Sequence, residues 1–282
     1  MPDCEPTICN APWLGLIIGN TRLHWAFFQG QALQAVWHTA HISSEAADAL
    51  IDQHFAQKAW RSLLDDPAAA PSNPEIWAAI AACQSLPLYC ASVVPQQTAR
   101  WQAYEHFQEV RLADMPLGNL YPTLGIDRAL NLLGAGDRYG WPILVMDAGT
   151  ALTFTAGDEG QLVGGAILPG LSTQFDALTA KAAALPAIRL GTLLPERWSA
   201  TTSDAIRSGV IYGAIATIQD FLTAWQSQYP QGQAVLTGGD AAQLHEWLTQ
   251  TRAISTLHQD ATLAFKGLIR YRQHHLTKRH LS

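Results

Sequence analysis

The chain has 282 residues, a formal net charge of −6, and 48% hydrophobic against 14% charged residues. That length accommodates two ordinary domains with separate cores, and the composition excludes a disordered chain. A general nucleic-acid surface is excluded by the negative charge and by the lack of a Lys/Arg cluster before Lys278-Arg279-His280. A membrane span is excluded because the apolar stretch Leu14–Ile18 is far too short.

In chain order, residues 1–12 carry three prolines and no periodicity, which predicts a loose lead-in. Strands follow at 14–18, 22–28 and 32–38, an antiparallel meander with turns at Gly19 and Gly30. Apolar spacing from Glu45 to Leu64 predicts one helix capped by Ser43 or Ser44. Asp65 to Pro74 reads as a loop, with a short helix from Pro74 and a buried strand at 88–94 ended by Pro95. A helix over 96–107 and a short strand at 110–112 come next, then a helix from Ile126 to Tyr139 opened by Gly125. The second half repeats the meander with strands at 143–147, 150–156 and 161–168. Helices near 171–185 and 202–228, a strand at 234–237 and a terminal helix over 261–273 complete the chain.

The ten tryptophans are scattered, as expected of core packing. Cys4, Cys9, Cys83 and Cys90 lack zinc-type spacing and read as reduced thiols of a soluble, cytoplasmic protein, with Cys83 and Cys90 buried. The ten histidines show no H-x-x-x-H pair, so no metal site is read from them.

One turn occurs twice. Leu16-Ile17-Ile18-Gly19-Asn20-Thr21-Arg22-Leu23-His24 and Val145-Met146-Asp147-Ala148-Gly149-Thr150-Ala151-Leu152 each join an apolar strand to an alternating one. Glycine lets the backbone approach an anion and Thr adds a donor, so two such turns suit a polyphosphate. A single copy is more simply an ordinary hairpin turn. Asp147 closes an apolar strand, where an unpaired carboxylate is costly, and a bound cation offsets that cost. Gly125-Ile126-Asp127-Arg128 puts a carboxylate in a first helical turn. The helix dipole explains it without function; general-base chemistry on a hydroxyl explains it with one. Gly164-Gly165-Ala166-Ile167-Leu168-Pro169-Gly170-Leu171 and Gly238-Gly239-Asp240 are structural turns or substrate loops; neither is a dinucleotide fingerprint nor a P-loop.

Taken in order, these segments resemble the type III pantothenate kinases, whose pattern is D-x-G-N-T, S-S-V-V-P, G-x-D-R, D-x-G-T-A-x-T and G-G-x-I-x-P-G-L. The counterparts are Ile17-Ile18-Gly19-Asn20-Thr21, Ala91-Ser92-Val93-Val94-Pro95, Gly125-Ile126-Asp127-Arg128, Asp147-Ala148-Gly149-Thr150-Ala151-Leu152-Thr153 and Gly164–Leu171. The resemblance implies an α/β fold of duplicated actin-like (ribonuclease H-like) domains, each a mixed five-stranded sheet with flanking helices, and an ATP cleft between them. The expected division is 13–128 and 129–282.

The implied reaction is ATP-dependent phosphorylation of pantothenate, the first step towards coenzyme A. By resemblance Asp127 is the general base, and Tyr121, Gly125, Ile126, Arg128 and Thr202 contact pantothenate. Gly19, Asn20, Thr21, Arg22, His24, Gly149 and Thr150 hold ATP with magnesium, and Asp147 binds a monovalent cation, potassium or ammonium. A homodimer is implied as well. Two positions depart from the family pattern: Ile17 replaces the first-motif Asp and His24 replaces a Lys. They leave open a non-catalytic regulatory relative, and the alternative enzyme is another small-molecule kinase of the actin-like class.

Overall fold

The computed structural model describes residues 10–60, 63–64, 71–181, 186, 188–251 and 257–281. The lead-in through residue 9 with Cys4 and Cys9, most of the 65–74 loop and the end of the 171–185 helix lie outside them. The chain divides into two compact units. One comprises Met1–Pro116, Leu120–Gly134 and Ala264–Ser282; the other comprises Leu117–Asn119 and Ala135–Leu263.

The first unit is built on a five-stranded sheet. Strands β1 (Pro12–Ile18), β2 (Leu23–Gln29) and β3 (Ala32–Thr39) form the expected antiparallel meander. Strands β4 (Leu88–Ser92) and β5 (Phe107–Glu109) add in parallel, giving the order β3-β2-β1-β4-β5. Alternation along β1 and β2 turns Leu14, Leu16, Ile18, Leu23, Trp25 and Phe27 into one core. Trp25, Trp37, Trp60 and Trp101 are fully buried there, in edge and offset ring contacts. The scattered tryptophans of this half are therefore core residues, as the sequence predicts.

Two expected helices are interrupted by that core. The 45–64 helix splits into α1 (Ser44–Asp52) and α2 (Gln57–Trp60), because His54 and Phe55 take positive φ of 49° and 56°. That left-handed turn drives Phe55 fully into the core, with its carbonyl accepting from Trp60 Nε1 at 2.9 Å. Ser43 supplies the cap, accepting from the Ala46 amide. Helix α3 (Pro74–Ala82) starts after Asn73 as expected of a Pro-led helix. The 96–107 helix is instead α4 (Pro95–Thr98) followed by consecutive tight turns: Trp101 N to Thr98 O, Tyr104 N to Trp101 O, and Phe107 N to Tyr104 O. A three-residue step keeps both Trp101 and Tyr104 inward, and Tyr104 Oη donates to Leu86 O at 2.7 Å. The expected 110–112 strand moves to 107–109, since Phe107 pairs with Leu88.

The second unit repeats the order. Strands β6 (Ile143–Ala148), β7 (Ala151–Asp158) and β8 (Gln161–Pro169) form a meander, and β9 (Gln233–Thr237) and β10 (His258–Gln259) add in parallel. The order β10-β9-β6-β7-β8 is that of the first sheet read from the other edge. The helix α5 (Ile126–Tyr139), whose residues through Gly134 belong to the first unit, precedes β6, while α6 (Leu171–Lys181), α7 (Thr202–Gln228) and α8 (Ala241–Gln250) follow β8 and β9. Met146, Phe154, Ile211, Ile218, Leu236 and Trp247 lie in its core. The duplicated five-stranded architecture is thus present; α8 and β10 add to the elements expected from sequence.

The terminal helix α9 (Leu263–Leu281) is longer than the expected 261–273, and most of it belongs to the first unit, not to a domain running from 129 to 282. It covers the second face of that sheet. Trp13 stacks on Phe28 at 3.8 Å between centroids, the Arg272 guanidinium lies 5.0 Å over Trp13, and Phe265 meets Phe28 edge-on. A side chain on Gly15 would stand 2.7 Å from Leu268 Cδ2, so glycine is what lets helix and strand close here. Cys90 is buried, whereas Cys83 is only half-buried, and burial pushes the Cys90 thiol well above its usual range. No helix among the described residues is long and apolar enough to cross a membrane.

Candidate active site

The first glycine turn joins β1 to β2. The Gly19 amide donates to the Arg22 carbonyl at 3.0 Å, and the Gly19 carbonyl accepts from His41 Nε2 at 2.9 Å. Beside it, Val93 N donates to Ile18 O, and Ser92 Oγ accepts from the Val94 amide at 3.0 Å. The Ser92-Val93-Val94-Pro95 segment is therefore a brace for the turn. Asn20, Thr21 and Arg22 are exposed at its tip. His24, the second residue of β2, pairs in register with Ile17 on β1 and His38 on β3. Its Nδ1 lies 2.9 Å from His38 Nδ1. Burial first, then His38 and Arg22, lowers the His24 pKa to about 4, and burial with Arg22 lowers that of His38.

A second group assembles at the start of α5. Gly125 O accepts from Ala129 N and opens the helix. Asp127 Oδ1 folds back to accept from the Arg128 amide at 2.8 Å. A side chain on Gly125 would come within 2.5 Å of that oxygen. Only glycine leaves the carboxylate its place above the helix N-terminus, where the dipole favours negative charge. Arg128 is buried and its Nη1 donates to Tyr121 Oη at 2.9 Å, while the Tyr121 ring is 41% exposed. Between Tyr121 and Gly125 the chain makes a turn in which Leu124 N donates to Tyr121 O. Ile126 packs inward. Tyr121, Gly125, Asp127 and Arg128 thus form one cluster.

The second glycine turn joins β6 to β7, and Gly149 N donates to Ala151 O at 3.0 Å. Gly170 N and Thr173 Oγ1 both donate to Thr150 O, at 3.0 and 2.6 Å. A Cβ on Gly170 would overlap the Gly149 carbonyl, so the Pro169-Gly170 segment supports this turn by close backbone approach. Asp147 is half-buried at the strand end. A Cβ on Gly238, whose φ is +97°, would overlap both Asp147 Oδ1 and Ala148 O. Asp147 Oδ1 and Ala148 O therefore pack closely against the Gly238 backbone, and Ala148 O accepts from the Asp240 amide at 2.9 Å. Burial also raises the neighbouring Asp240 carboxyl pKa. Among the described residues no three His, Cys, Asp or Glu side chains cluster as a metal site.

Thr202 opens α7 behind the Thr201 cap and lines an open cavity of about 470 Å³ with Gln174, Leu178, Ile206 and Gly209. Ser208 is buried, donating to Arg197 O at 2.7 Å. The Ser208-Gly209 pair thus contributes its glycine, not its hydroxyl, to the cavity wall. Thr202 lies in the second unit, apart in the chain division from the Asp127 cluster of the first.

The sequence profile of the type III pantothenate kinases matches residues 13–224. The chain belongs to that family. It is 43% identical over 244 residues to the type III pantothenate kinase of Nostoc sp., covering 84% of each chain. It is 40% identical over 273 residues to that of Synechocystis sp., covering 95% of this chain and 94% of the relative. Membership carries the activity the motifs imply, phosphorylation of pantothenate by ATP. Among solved structures, a Campylobacter jejuni protein described as a Baf family transcriptional activator has a TM-score of 0.59 at 18% identity, covering 93% of this chain and 98% of that one. An activator of 2-hydroxyisocaproyl-CoA dehydratase from Clostridium difficile has a TM-score of 0.50 at 10% identity, covering 96% and 98%. At such identity these two likenesses bear on fold alone.

Within this kinase the sequence reading missed His38 and His41. His41 holds the carbonyl of Gly19, and His38 meets His24. The signal available was the hairpin register, which sets His24 opposite His38, since pairing Leu23 with Thr39 aligns the next residues.

Proposed function

We propose that the chain phosphorylates the primary hydroxyl of pantothenate with Asp127 as general base, Arg128, Tyr121, Gly125, Ile126 and Thr202 as the pantothenate contacts, and the two glycine turns as the ATP phosphate clamp. The observation that carries this reading is the Asp127 carboxylate, held by the Arg128 amide and given its space by Gly125. An aspartate is a weak base at neutral pH. It suits phosphoryl transfer through a loose transition state, where the hydroxyl proton leaves late. Asp127 orients the hydroxyl towards the γ-phosphorus and takes its proton as the new P–O bond forms. The Arg128 guanidinium, fixed by Tyr121, offers a charged donor to the pantothenate carboxylate.

Gly19, Asn20, Thr21, Arg22 and His24 on one turn, with Gly149 and Thr150 on the other, hold the phosphates through backbone amides and hydroxyls. Asp147 is the residue that would hold a potassium or ammonium ion, and magnesium would arrive on ATP. Both would offset phosphate charge. The kinase acts as a homodimer in this reading, and Trp198, Leu193 and Ile167, which are 91%, 83% and 63% exposed, support a covered apolar surface on the second unit.

The test is ADP release with pantothenate, ATP, magnesium and potassium, repeated with sodium in place of potassium. Pantothenate-dependent turnover that falls in sodium is expected, and Asp127→Asn should lower kcat by about 10²–10⁴-fold at an unchanged melting temperature. Near-normal turnover of that variant removes Asp127 from the base role. Absence of turnover in the unmodified chain at millimolar ATP favours a non-catalytic relative.

A further inference from the structure

Both departures from the family pattern lie in one row of the first sheet. Ile17, His24 and His38 are directly opposed across β1, β2 and β3. Ile17 is 7% exposed and apolar, so it offers no carboxylate to a cation at position 24. An ammonium beside it would be desolvated without a partner, whereas a neutral imidazole is not penalised in this way. His24 Nε2 lies 3.8 Å from the point where a Cβ on Gly19 would stand, so one ring edge faces the turn. The other nitrogen, Nδ1, meets His38 Nδ1 at 2.9 Å.

A hydrogen bond between two Nδ1 atoms needs one proton between them. If His24 supplied it, Nε2 would be a bare lone pair facing the turn, repelling any phosphate there. If His38 supplies it, His24 carries its proton on Nε2 and becomes a donor at the turn. An anion at Gly19 selects the second arrangement.

We propose that His38 is a positioning residue for ATP: its Nδ1–H fixes His24 as the Nε2–H tautomer and aims that donor at a phosphate oxygen bound by the Gly19 turn. The inference rests on the reading of that turn as part of the phosphate clamp. It makes Ile17 and His24 one joint replacement of an acid–amine pair by an apolar residue and an oriented neutral donor. The groups around His24 are Ile17 from β1, His38 from β3 and Arg22 from the turn, with His41 held to Gly19 O beyond it.

The experiment uses full-length enzyme with saturating pantothenate, magnesium and potassium. His38→Leu should raise the KM for ATP by about tenfold or more, the effect of one misdirected hydrogen bond to a charged group, with kcat near that of the unmodified enzyme. His38→Asn places an amide N–H near the position of Nδ1 and should restore KM to within about twofold. In a His24→Lys background, where no tautomer exists, adding His38→Leu should change nothing. Histidine ¹⁵N spectra of the unmodified protein at neutral pH should show His24 protonated at Nε2 and bare at Nδ1.

The proposal fails if His38→Leu leaves KM unchanged, if the asparagine does not restore it, if the leucine has the same effect beside Lys, or if His24 is protonated at Nδ1. His24→Ala separates the two layers. If it raises KM while His38→Leu does not, the positioning role alone falls; if it leaves KM unchanged, the phosphate contact of His24 falls as well. His38 is exposed on the edge strand β3, so these changes leave the core intact.

Discussion

Replacing Gly125 with alanine should separate catalysis from stability in this protein. The added methyl would sit 2.5 Å from Asp127 Oδ1 and 3.6 Å from its Cγ. Ordinary carbon–oxygen contact needs more than 3 Å (about 3.3 Å, near the optimal non-bonded distance), so the carboxylate oxygen must retreat by roughly 1 Å. Such a move pulls it from the Arg128 amide, now 2.8 Å away. The obstructing atom is the end of a flexible side chain, so the fold adjusts at little expense. Losing that hydrogen bond costs about 0.5–1.5 kcal/mol, and the lower entropy of the unfolded alanine chain returns about 0.4–1 kcal/mol. The net change in stability should stay within about 1 kcal/mol, or a few degrees in melting temperature. Turnover should behave differently, because a 1 Å displacement of a reacting group costs about 10²-fold. The assay is steady-state ADP release with both substrates varied, beside a thermal melt. A kcat within about threefold of the parent, at unchanged stability, would refute the claim that glycine is there to seat the base.

Gly238→Ala combines a +97° φ with overlap of Asp147 Oδ1 and Ala148 O, and should lower unfolding free energy by about 2 kcal/mol or more. In urea unfolding its midpoint falls, and in assays it should need more potassium for half-maximal rate; an unaltered potassium response would detach Asp147 from the cation. His24 gives a pH effect of definite sign. Its folded pKa, lowered to about 4 from 6.5, makes the unfolded chain bind more protons between those values. Its contribution to stability is therefore complete above about 6.5 and is lost as pH falls towards 4. Urea midpoints of the parent and of His24→Gln should converge over that window, and parallel curves would contradict the assignment.

Much of the kinase was readable before folding was considered. The two meanders, the helix over 126–139 and the long helix over 202–228 follow from period-two and period-3.6 patterns that each element satisfies within itself. The paired Gly-Asn-Thr and Gly-Thr turns are legible for the same reason, since glycine and hydroxyl residues act through local backbone geometry. Asp127 was marked by its place in a first helical turn. What gives that carboxylate its orientation, the open space at Gly125 and the Arg128 amide, also lies within three residues.

Where several strands share one core, local pattern ceased to decide. Phe55 and Trp101 carry helical spacing, yet filling the tryptophan cluster is worth more than a few helical hydrogen bonds, so the chain breaks into turns at both places. The terminal helix is legible in the sequence as a helix, but which sheet it covers is not. Only packing of Leu268, Phe265 and Arg272 against Gly15, Phe28 and Trp13 assigns it to the first sheet. His38 shows the same limit at the site, for it lies fourteen residues from His24 and acquires a role when antiparallel register sets their Nδ1 atoms 2.9 Å apart. The sequence determined the residues that can bind phosphate and accept a proton, because those properties belong to single side chains and local turns. The tertiary structure decided which side chains orient them, because orientation depends on neighbours that only sheet register and core packing bring together.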